Sequence, residues 1–179
     1  MCGIVGIWSQ RGFTEDKLRS LTVSACDAIR LRGPDHRGTW NNPDEGISLG
    51  HQRLSILDLS AAGNQPMFSE NGRYIMVYNG EIYNHHILRE ALNAKGHTRA
   101  KGWIGRSDTE TLLQAIQIYG FEQALKMSDG MFALAVWDRT ERKLMLARDR
   151  IGEKPLYYGW MQGCFVFGSE LKAMKAIIP

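Results

Sequence analysis

The sequence contains little cysteine: only Cys2, Cys26 and Cys164 occur among 179 residues. Three thiols at irregular spacing exclude a disulfide framework. No CxxC pair or Cys/His cluster has the spacing of zinc ligands, and the five histidines are scattered along the chain. We therefore expect no metal site. In a reducing compartment the thiols should be free, which leaves at least one of them available for chemistry.

The sequence also lacks long apolar runs and clusters of one charge. No apolar stretch is long enough to span a bilayer. The N-terminal MCGIVGIW has neither the basic region nor the cleavage site of a signal peptide. Lys and Arg (22) barely outnumber Asp and Glu (19), and no basic run stands out. These features predict a cytoplasmic protein that binds neither membranes nor nucleic acid.

The composition is that of a folded domain. Hydrophobic residues make up 44% and charged residues 23% of the chain, so disorder is not expected. A chain of 179 residues can bury one sizeable core but not two of ordinary size. We find no internal repeat and no low-complexity linker, which predicts one domain over residues 1–179.

Local patterns predict an α+β fold. A strand is expected over 2–8, then a helix with Thr14 as its N-cap that ends before Gly33-Pro34, then strands near 46–51 and 73–78. Helices should follow over 84–95, terminated by Gly96, and after Ser107, which opens the capping-box pattern Ser-Asp-Thr-Glu. From Met131 onward the pattern changes to four strands and a last helix over 170–177. Strands, helices and strands again differ from the alternation of a parallel fold.

The first candidate for chemistry is Cys2, directly after the initiator Met1. Methionine aminopeptidase removes Met1 before a small residue, which leaves a thiol and a free α-amine on Cys2. An amine with a pKa near 8 is a suitable base for a thiol near neutral pH. The alternative is a small apolar cysteine that opens a buried strand, and position alone favours that alternative.

Seven motifs along the sequence favour Cys2 as a nucleophile over Cys2 as a structural residue. In chain order they are CGIVG at 2–6, RGPD at 32–35, GHQRLSILD at 50–58, YNGEIYN at 78–84, SDTE at 107–110, DGMFALAVWD at 129–138 and ARDRIGEKPLYYG at 147–159. Together they resemble the class II glutamine amidotransferase domain, most closely that of the glutamine-hydrolysing asparagine synthetase family. The resemblance implies an N-terminal-nucleophile hydrolase fold, a four-layer αββα sandwich with two antiparallel sheets. It also implies glutamine hydrolysis by Cys2.

The resemblance implies an oxyanion hole formed by the Asn79 side-chain amide and the Gly80 backbone N–H. Asn-Gly after an apolar strand is also the strongest short signal for a hairpin turn. Here Glu-Ile-Tyr-Asn and a predicted helix follow instead of a return strand, which favours the oxyanion hole.

The resemblance further implies a pocket for the two charged groups of glutamine. Arg53 would hold the α-carboxylate with its planar fork of donors. Glu81 and Asp108 would take the α-ammonium, although an acid such as Asp108 also suits the first turn of a helix. Arg32 would lie near the nucleophile, but RGPD is equally typical of a turn after a helix. Backbone groups would complete the carboxylate side, namely those of Leu54, Ser55, Ile56 and Leu57.

In the resembling family a C-terminal synthetase domain uses ATP and Mg to activate a carboxylate that receives the ammonia. Its SGGxDS-type loop is absent here, so we expect a fragment rather than a stand-alone subunit, with the synthetase domain in cis or in trans. The glutaminase domain itself needs no cofactor, and a homodimer is compatible with the resemblance. The segment 97–110 is longer than in housekeeping synthetases, so the acceptor is expected to be aspartate or a sugar acid.

Two other classes of function stay open. One is a non-catalytic glutamine-binding or regulatory module, which retention of Met1 would produce by blocking the α-amine. The other is an N-terminal-nucleophile amidohydrolase that acts on a different amide. Arg53, Glu81 and Asp108 suit a free amino acid and argue against the second.

Overall fold

The structure, a computed structural model, describes residues 1–10, 12–100 and 102–177. Its strands are β1 (Gly3–Ser9), β2 (His36–Asn42), β3 (Ile47–Arg53), β4 (Met67–Phe68), β5 (Tyr74–Ile82), β6 (Gly130–Asp138), β7 (Lys143–Arg148), β8 (Tyr157–Met161) and β9 (Cys164–Gly168). Its helices are α1 (Glu15–Ala28), α2 (His85–Ala94), α3 (Asp108–Tyr119), α4 (Phe121–Lys126) and α5 (Leu171–Ile177). Short 3-10 turns occur at Arg30–Arg32 and Ala61–Gly63.

The strands form two antiparallel sheets that face each other. One sheet has the order β2-β3-β1-β9-β8 and the other the order β4-β5-β6-β7. One apolar cluster fills the space between the sheets. A second joins the first sheet to α1 and α5, and a third joins the other sheet to α2, α3 and α4. The predicted α+β class and the four-layer αββα sandwich are therefore confirmed.

The inner strands are apolar on both faces because each sheet is covered on both sides. In β1, Ile4 packs between the sheets, whereas Val5 and Ile7 pack against α1 and α5. In β5, Val77 packs between the sheets and Met76 packs toward the helices. A strand buried on both faces shows a continuous apolar run rather than alternation, which is why short apolar runs were the useful signal here.

Most predicted elements occur close to their predicted positions. Helix α1 begins after Thr14, whose Oγ1 accepts a hydrogen bond from the Lys17 amide at 3.3 Å. Helix α3 begins after Ser107, and the glycine after α2, Gly96, has a φ of +72°. The Asn79-Gly80 pair lies inside β5, which continues to Ile82. The hairpin alternative for this pair is therefore wrong.

Three short elements were not predicted. Strand β2 is half-buried and mostly polar (HRGTWNN), as suits the edge of a sheet. Strand β4 has two residues and α4 has six, which is too short for a periodic pattern. Within the described ranges, no helix is both long and apolar enough to cross a membrane.

Candidate active site

Strand geometry brings Cys2, Arg53 and Asn79 together at one end of the space between the sheets. Residues two apart in a strand face the same side. Cys2 therefore shares the inward face of Ile4, which packs between the sheets. Arg53 and Asn79 likewise belong to inward-facing series that begin at Ile47 in β3 and at Ile75 in β5. The pairing of Gly3 with Gln52 then puts Cys2 beside Arg53.

A cavity of about 160 Å³ opens at this point. Its lining includes nine of the predicted site residues: Cys2, Arg53, Leu54, Ile56, Leu57, Asn79, Gly80, Glu81 and Asp108. Met1, Tyr78, Met131 and Lys154 also line it. Among the described residues, no group of three or more His, Cys, Asp or Glu side chains could hold a metal ion.

The Cys2 thiol lies against the chain at Leu54. Its Sγ is 3.4 Å from the Leu54 amide nitrogen and 3.5 Å from the Leu54 carbonyl oxygen. Burial raises the pKa of the Cys2 thiol, and the hydrogen bond from the Leu54 amide opposes this effect. With Met1 in place the thiol is therefore protonated near neutral pH, and a neighbouring base is needed to form the thiolate.

Asn79 and Gly80 offer two donors to the cavity. Asn79 is only 2% exposed, and within the described part of the chain its Nδ2 has no hydrogen-bond partner. The Tyr78 amide donates to Gln65 Oε1 at 2.6 Å and the Ile82 amide to Asp108 Oδ2 at 2.9 Å. Alternate amides in a strand point to the same side, so the Gly80 N–H points the same way, toward the cavity.

Arg53 is held by the loop that follows β3. Its Nη1 donates to the Ser60 carbonyl at 2.8 Å and to Asn64 Oδ1 at 2.7 Å, and its Nη2 donates to the Asp58 carbonyl. A side chain on Gly63 would collide with Nη2. Among the described residues no acceptor bonds to Nε, so Nε–H and one Nη2–H are available to a ligand.

Asp108 is positioned by two donors and retains one oxygen for a ligand. Its Oδ2 accepts from the Tyr78 hydroxyl at 2.7 Å and from the Ile82 amide at 2.9 Å. Burial, together with the adjacent Asp108, raises the pKa of Tyr78 well above its ordinary value, so the hydroxyl stays a donor. The half-buried Glu81 lines the same cavity, whose lining contains the carboxyl residues Asp58, Glu81 and Asp108 and the basic residues Arg53 and Lys154.

Two of the predicted site residues lie outside the cavity lining. Ser55 donates its amide to Asp35 Oδ2 at 2.7 Å. Arg32 lies behind the nucleophile, where its Nε donates to the Cys2 carbonyl at 2.9 Å and its Nη1 contacts Glu170 at 3.3 Å. Arg32 thus fixes the Cys2 backbone rather than contacting the thiol.

Lys154 lies in the site although the sequence assigned it no role. Asp149 accepts from the Glu153 and Lys154 amides, and Arg148 Nε donates to the Lys154 carbonyl at 2.6 Å. The lysine is 7% exposed and its Nζ is 3.4 Å from Met1 Sδ. No carboxylate of the described residues lies within 4.0 Å of it. Lys154 belongs to the motif ARDRIGEKPLYYG, which contributed to the family resemblance, but no role was predicted for any residue of this motif.

The comparisons with known proteins agree with this geometry. The family model described as "Glutamine amidotransferase domain" matches residues 1–178. This chain belongs to that family. It is 36% identical to a putative glutamine-hydrolysing asparagine synthetase of Methanocaldococcus jannaschii and 38% identical to asparagine synthetase 1 of Bacillus subtilis. These matches cover 99% and 97% of this chain but only 35% and 26% of the relatives.

The fold is shared with a solved amidotransferase. Glutamine phosphoribosylpyrophosphate amidotransferase of B. subtilis superimposes with a TM-score of 0.78 at 21% identity. The superposition covers 98% of this chain and 43% of that one. The predicted N-terminal-nucleophile hydrolase fold is confirmed, and the family assignment makes the chain an enzyme domain of the glutamine amidotransferase type.

Proposed function

We propose that this domain hydrolyses glutamine to glutamate and ammonia, with Cys2 as the nucleophile once Met1 has been removed. The observation that carries the proposal is the buried Asn79 Nδ2, which bonds to none of the described residues and lies in the cavity that Cys2 also lines. Buried donors are nearly always paired. A donor left free beside a thiol is suited to an oxygen that acquires negative charge during the reaction.

The steps follow from the chemistry of these groups. The Cys2 α-amine takes the thiol proton, and the sulfur attacks the side-chain amide carbon of glutamine. The developing oxyanion accepts hydrogen bonds from Asn79 Nδ2 and the Gly80 N–H. The C–N bond then breaks as the α-ammonium protonates the leaving nitrogen, and ammonia departs. Water attacks the thioester, with the amine as base, and releases glutamate and the free thiol.

The charged groups of the cavity suit the other end of glutamine. Arg53 would bind the α-carboxylate through Nε–H and Nη2–H, and Asp108 and Glu81 would bind the α-ammonium. Recognition of both charges restricts the substrate to a free amino acid, which argues against an amidohydrolase for peptides or other amides.

The test is glutamate release from glutamine by a preparation whose mass confirms an N-terminal Cys2. We expect release to disappear with Cys2→Ala and to persist with Cys164→Ala, which removes a buried thiol far from the cavity lining. Full activity of the Cys2→Ala variant would refute the proposed mechanism.

A second candidate function, glutamine binding without catalysis, is favoured by the contact between Lys154 and Met1. With Met1 retained, Met1 lines the cavity, Lys154 contacts its sulfur, and Cys2 has no free amine. A chain in this form would be a glutamine-binding module without catalysis. Glutamine binding without glutamate release, in a sample whose mass includes Met1, would support this candidate.

For the whole protein we propose transfer of the ammonia to an ATP-dependent synthetase domain, in the same chain or in a partner. The relatives named asparagine synthetase are three to four times as long as the region matched, which leaves room for such a domain. ATP and Mg would be needed there, with aspartate or a sugar acid as the acceptor. Asparagine formation from glutamine, aspartate and ATP by the longest native form of the protein would identify the acceptor as aspartate.

A further inference from the structure

The loop that holds Arg53 is itself held by a distant segment. Residues 102–107 lie in the stretch between α2 and α3, and residues 58–64 supply the acceptors that fix the Arg53 guanidinium. We infer that Asp58 is a positioning residue for glutamine binding, and that segment 102–107 locks it in place. This inference rests on the proposed role of Arg53 as the ligand of the α-carboxylate.

Asp58 connects the two segments through both of its carboxylate oxygens. Oδ2 accepts from the Arg106 amide at 2.8 Å. Oδ1 accepts from the Ser60 amide at 2.8 Å and the Ser60 hydroxyl at 2.6 Å. The carbonyls of Asp58 and Ser60 in turn accept from Arg53. The orientation of the Arg53 guanidinium therefore depends on the Asp58 carboxylate, although the guanidinium bonds to backbone carbonyls and not to that carboxylate.

Segment 102–107 is in turn held in place by Glu110, which is 3% exposed. Its carboxylate accepts from the amides of Ile104 and Gly105, both at 2.9 Å, and lies 3.7 Å from Arg89 Nη2 and 3.5 Å from Arg99 Nη1. The sequence predicted that Glu110 would complete a capping box with Ser107. Ser107 Oγ does accept from the Glu110 amide at 3.3 Å, but the Glu110 carboxylate holds segment 102–107 instead.

The two segments are closely packed where they meet. The Asp58 carboxylate at this contact is ionised near neutral pH. A side chain on Gly105 would meet Asp58 Oδ2 and the Ala62 side chain. Hydrogen bonds from Ser60 and the Arg106 amide lower the pKa of Asp58 to about 2. The Arg106 amide therefore faces an ionised acceptor, and hydrogen bonds to charged groups are the stronger kind.

The test measures glutamine binding in a Cys2→Ala background by calorimetry, and KM and kcat in the background that retains Cys2. Asp58→Asn replaces one acceptor by a donor and should weaken glutamine binding about tenfold. The rise in KM should be similar, with kcat within about twofold of the parent. Asp44→Asn, which removes an exposed carboxylate from the β2–β3 turn, is the matched control and should leave all three values unchanged.

A second pair of variants isolates the Arg106 amide. Arg106→Pro removes the N–H and Arg106→Ala keeps it, so the proline variant should bind glutamine more weakly than the alanine variant. Equal affinities for this pair, together with wild-type affinity in Asp58→Asn, would overturn the inference. If glutamate release is absent from the parent but Asp58→Asn still weakens binding, the proposed catalysis fails and the positioning role of Asp58 stands.

Discussion

The Asn79 side chain combines burial with an amide nitrogen that bonds to no described residue. Neighbouring polar groups, in contrast, are paired: Tyr78 with Asp108, and Gln65 with the Tyr78 amide. An unpaired buried donor lowers the stability of the fold by about 1–3 kcal/mol. Its presence is understandable if the missing acceptor is the carbonyl oxygen of the substrate.

We predict that Asn79→Ala lowers kcat for glutamine hydrolysis by about two to three orders of magnitude, because one oxyanion donor is lost. KM should change little, since the interaction strengthens only as charge develops. Steady-state kinetics of glutamate release measures both constants. Asn41→Ala, at the partly exposed edge strand β2, provides the control, and a loss smaller than threefold in Asn79→Ala would place the oxyanion elsewhere.

For single residues, the sequence predicted which residues belong to the site, but it did not predict which atoms they contact. The motifs named Cys2, Arg53 and Asn79 because residue type and order carry the resemblance. The roles of Asp58 and Lys154 depend on how two loops fold back on the site, through amide hydrogen bonds that any residue type can make. Arg32 shows the same difficulty: its cation was expected near the thiol, but it contacts the Cys2 carbonyl.

Among the elements, β1 and β9 approach each other so closely that one position excludes any side chain. Gly6 lies under the Phe167 ring, which is fully buried, and a Cβ at this position would collide with two ring atoms. Phe167 belongs to the apolar layer between the sheets, and protein interiors are packed closely enough that a displaced ring disturbs its neighbours.

We predict that Gly6→Ala destabilises the protein by about 1–3 kcal/mol through overpacking. Gly159→Ala, in edge strand β8, is the control, because a Cβ there meets no atom within 4 Å. Urea denaturation of both variants gives the two free energies of unfolding. Equal values for the two variants would show that the Phe167 layer can adjust.

Helices and strands were predicted correctly where the residues that mark an element in the sequence also stabilise it in the structure. Thr14 and Ser107 satisfy free amides at the start of α1 and α3, so the residue type alone indicates the boundary. Strand β2 has no such signal, because its stability comes from pairing with β3 along its whole length. Pairing partners distant in sequence cannot be read from a seven-residue pattern.

For the molecule as a whole, His51 connects the two sheets. It lies in β3, is fully buried, and its Nε2 is 3.1 Å from the Tyr78 carbonyl of β5 in the opposite sheet. Burial lowers the pKa of His51 to about 3, because the imidazolium would lose its hydration. An unfolded histidine has a pKa of about 6.5. Between these values the unfolded chain binds a proton that the folded chain does not.

We therefore predict that stability falls as the pH decreases below about 6.5, and that His51 accounts for about 2 kcal/mol of the loss between pH 7 and pH 5. His51→Gln, which cannot titrate, should show a correspondingly smaller loss over the same range. Urea denaturation at the two pH values measures it. The parent protein, measured in parallel, is the reference, and an equal loss in His51→Gln would contradict the prediction.

The four-layer arrangement could be predicted from the motifs, but not the register that makes it functional. One-residue slippage between β1 and β3 would turn Arg53 away from Cys2, since alternate residues face opposite sides. The register is set by packing between the sheets, where Ile4, Leu49 and Val77 must all face inward. That requirement involves strands far apart in the sequence and is visible only in the folded chain.

The Asn79 amide, which has no partner in the described part of the chain, also bears on how long the protein survives in a cell. A ligand that supplies the missing acceptor stabilises the folded state only while it is bound. An empty site should therefore open more often to proteases than an occupied one. We expect the half-life of the protein to lengthen when glutamine is abundant and to shorten in starvation, so that its abundance follows the nitrogen supply without a dedicated regulator.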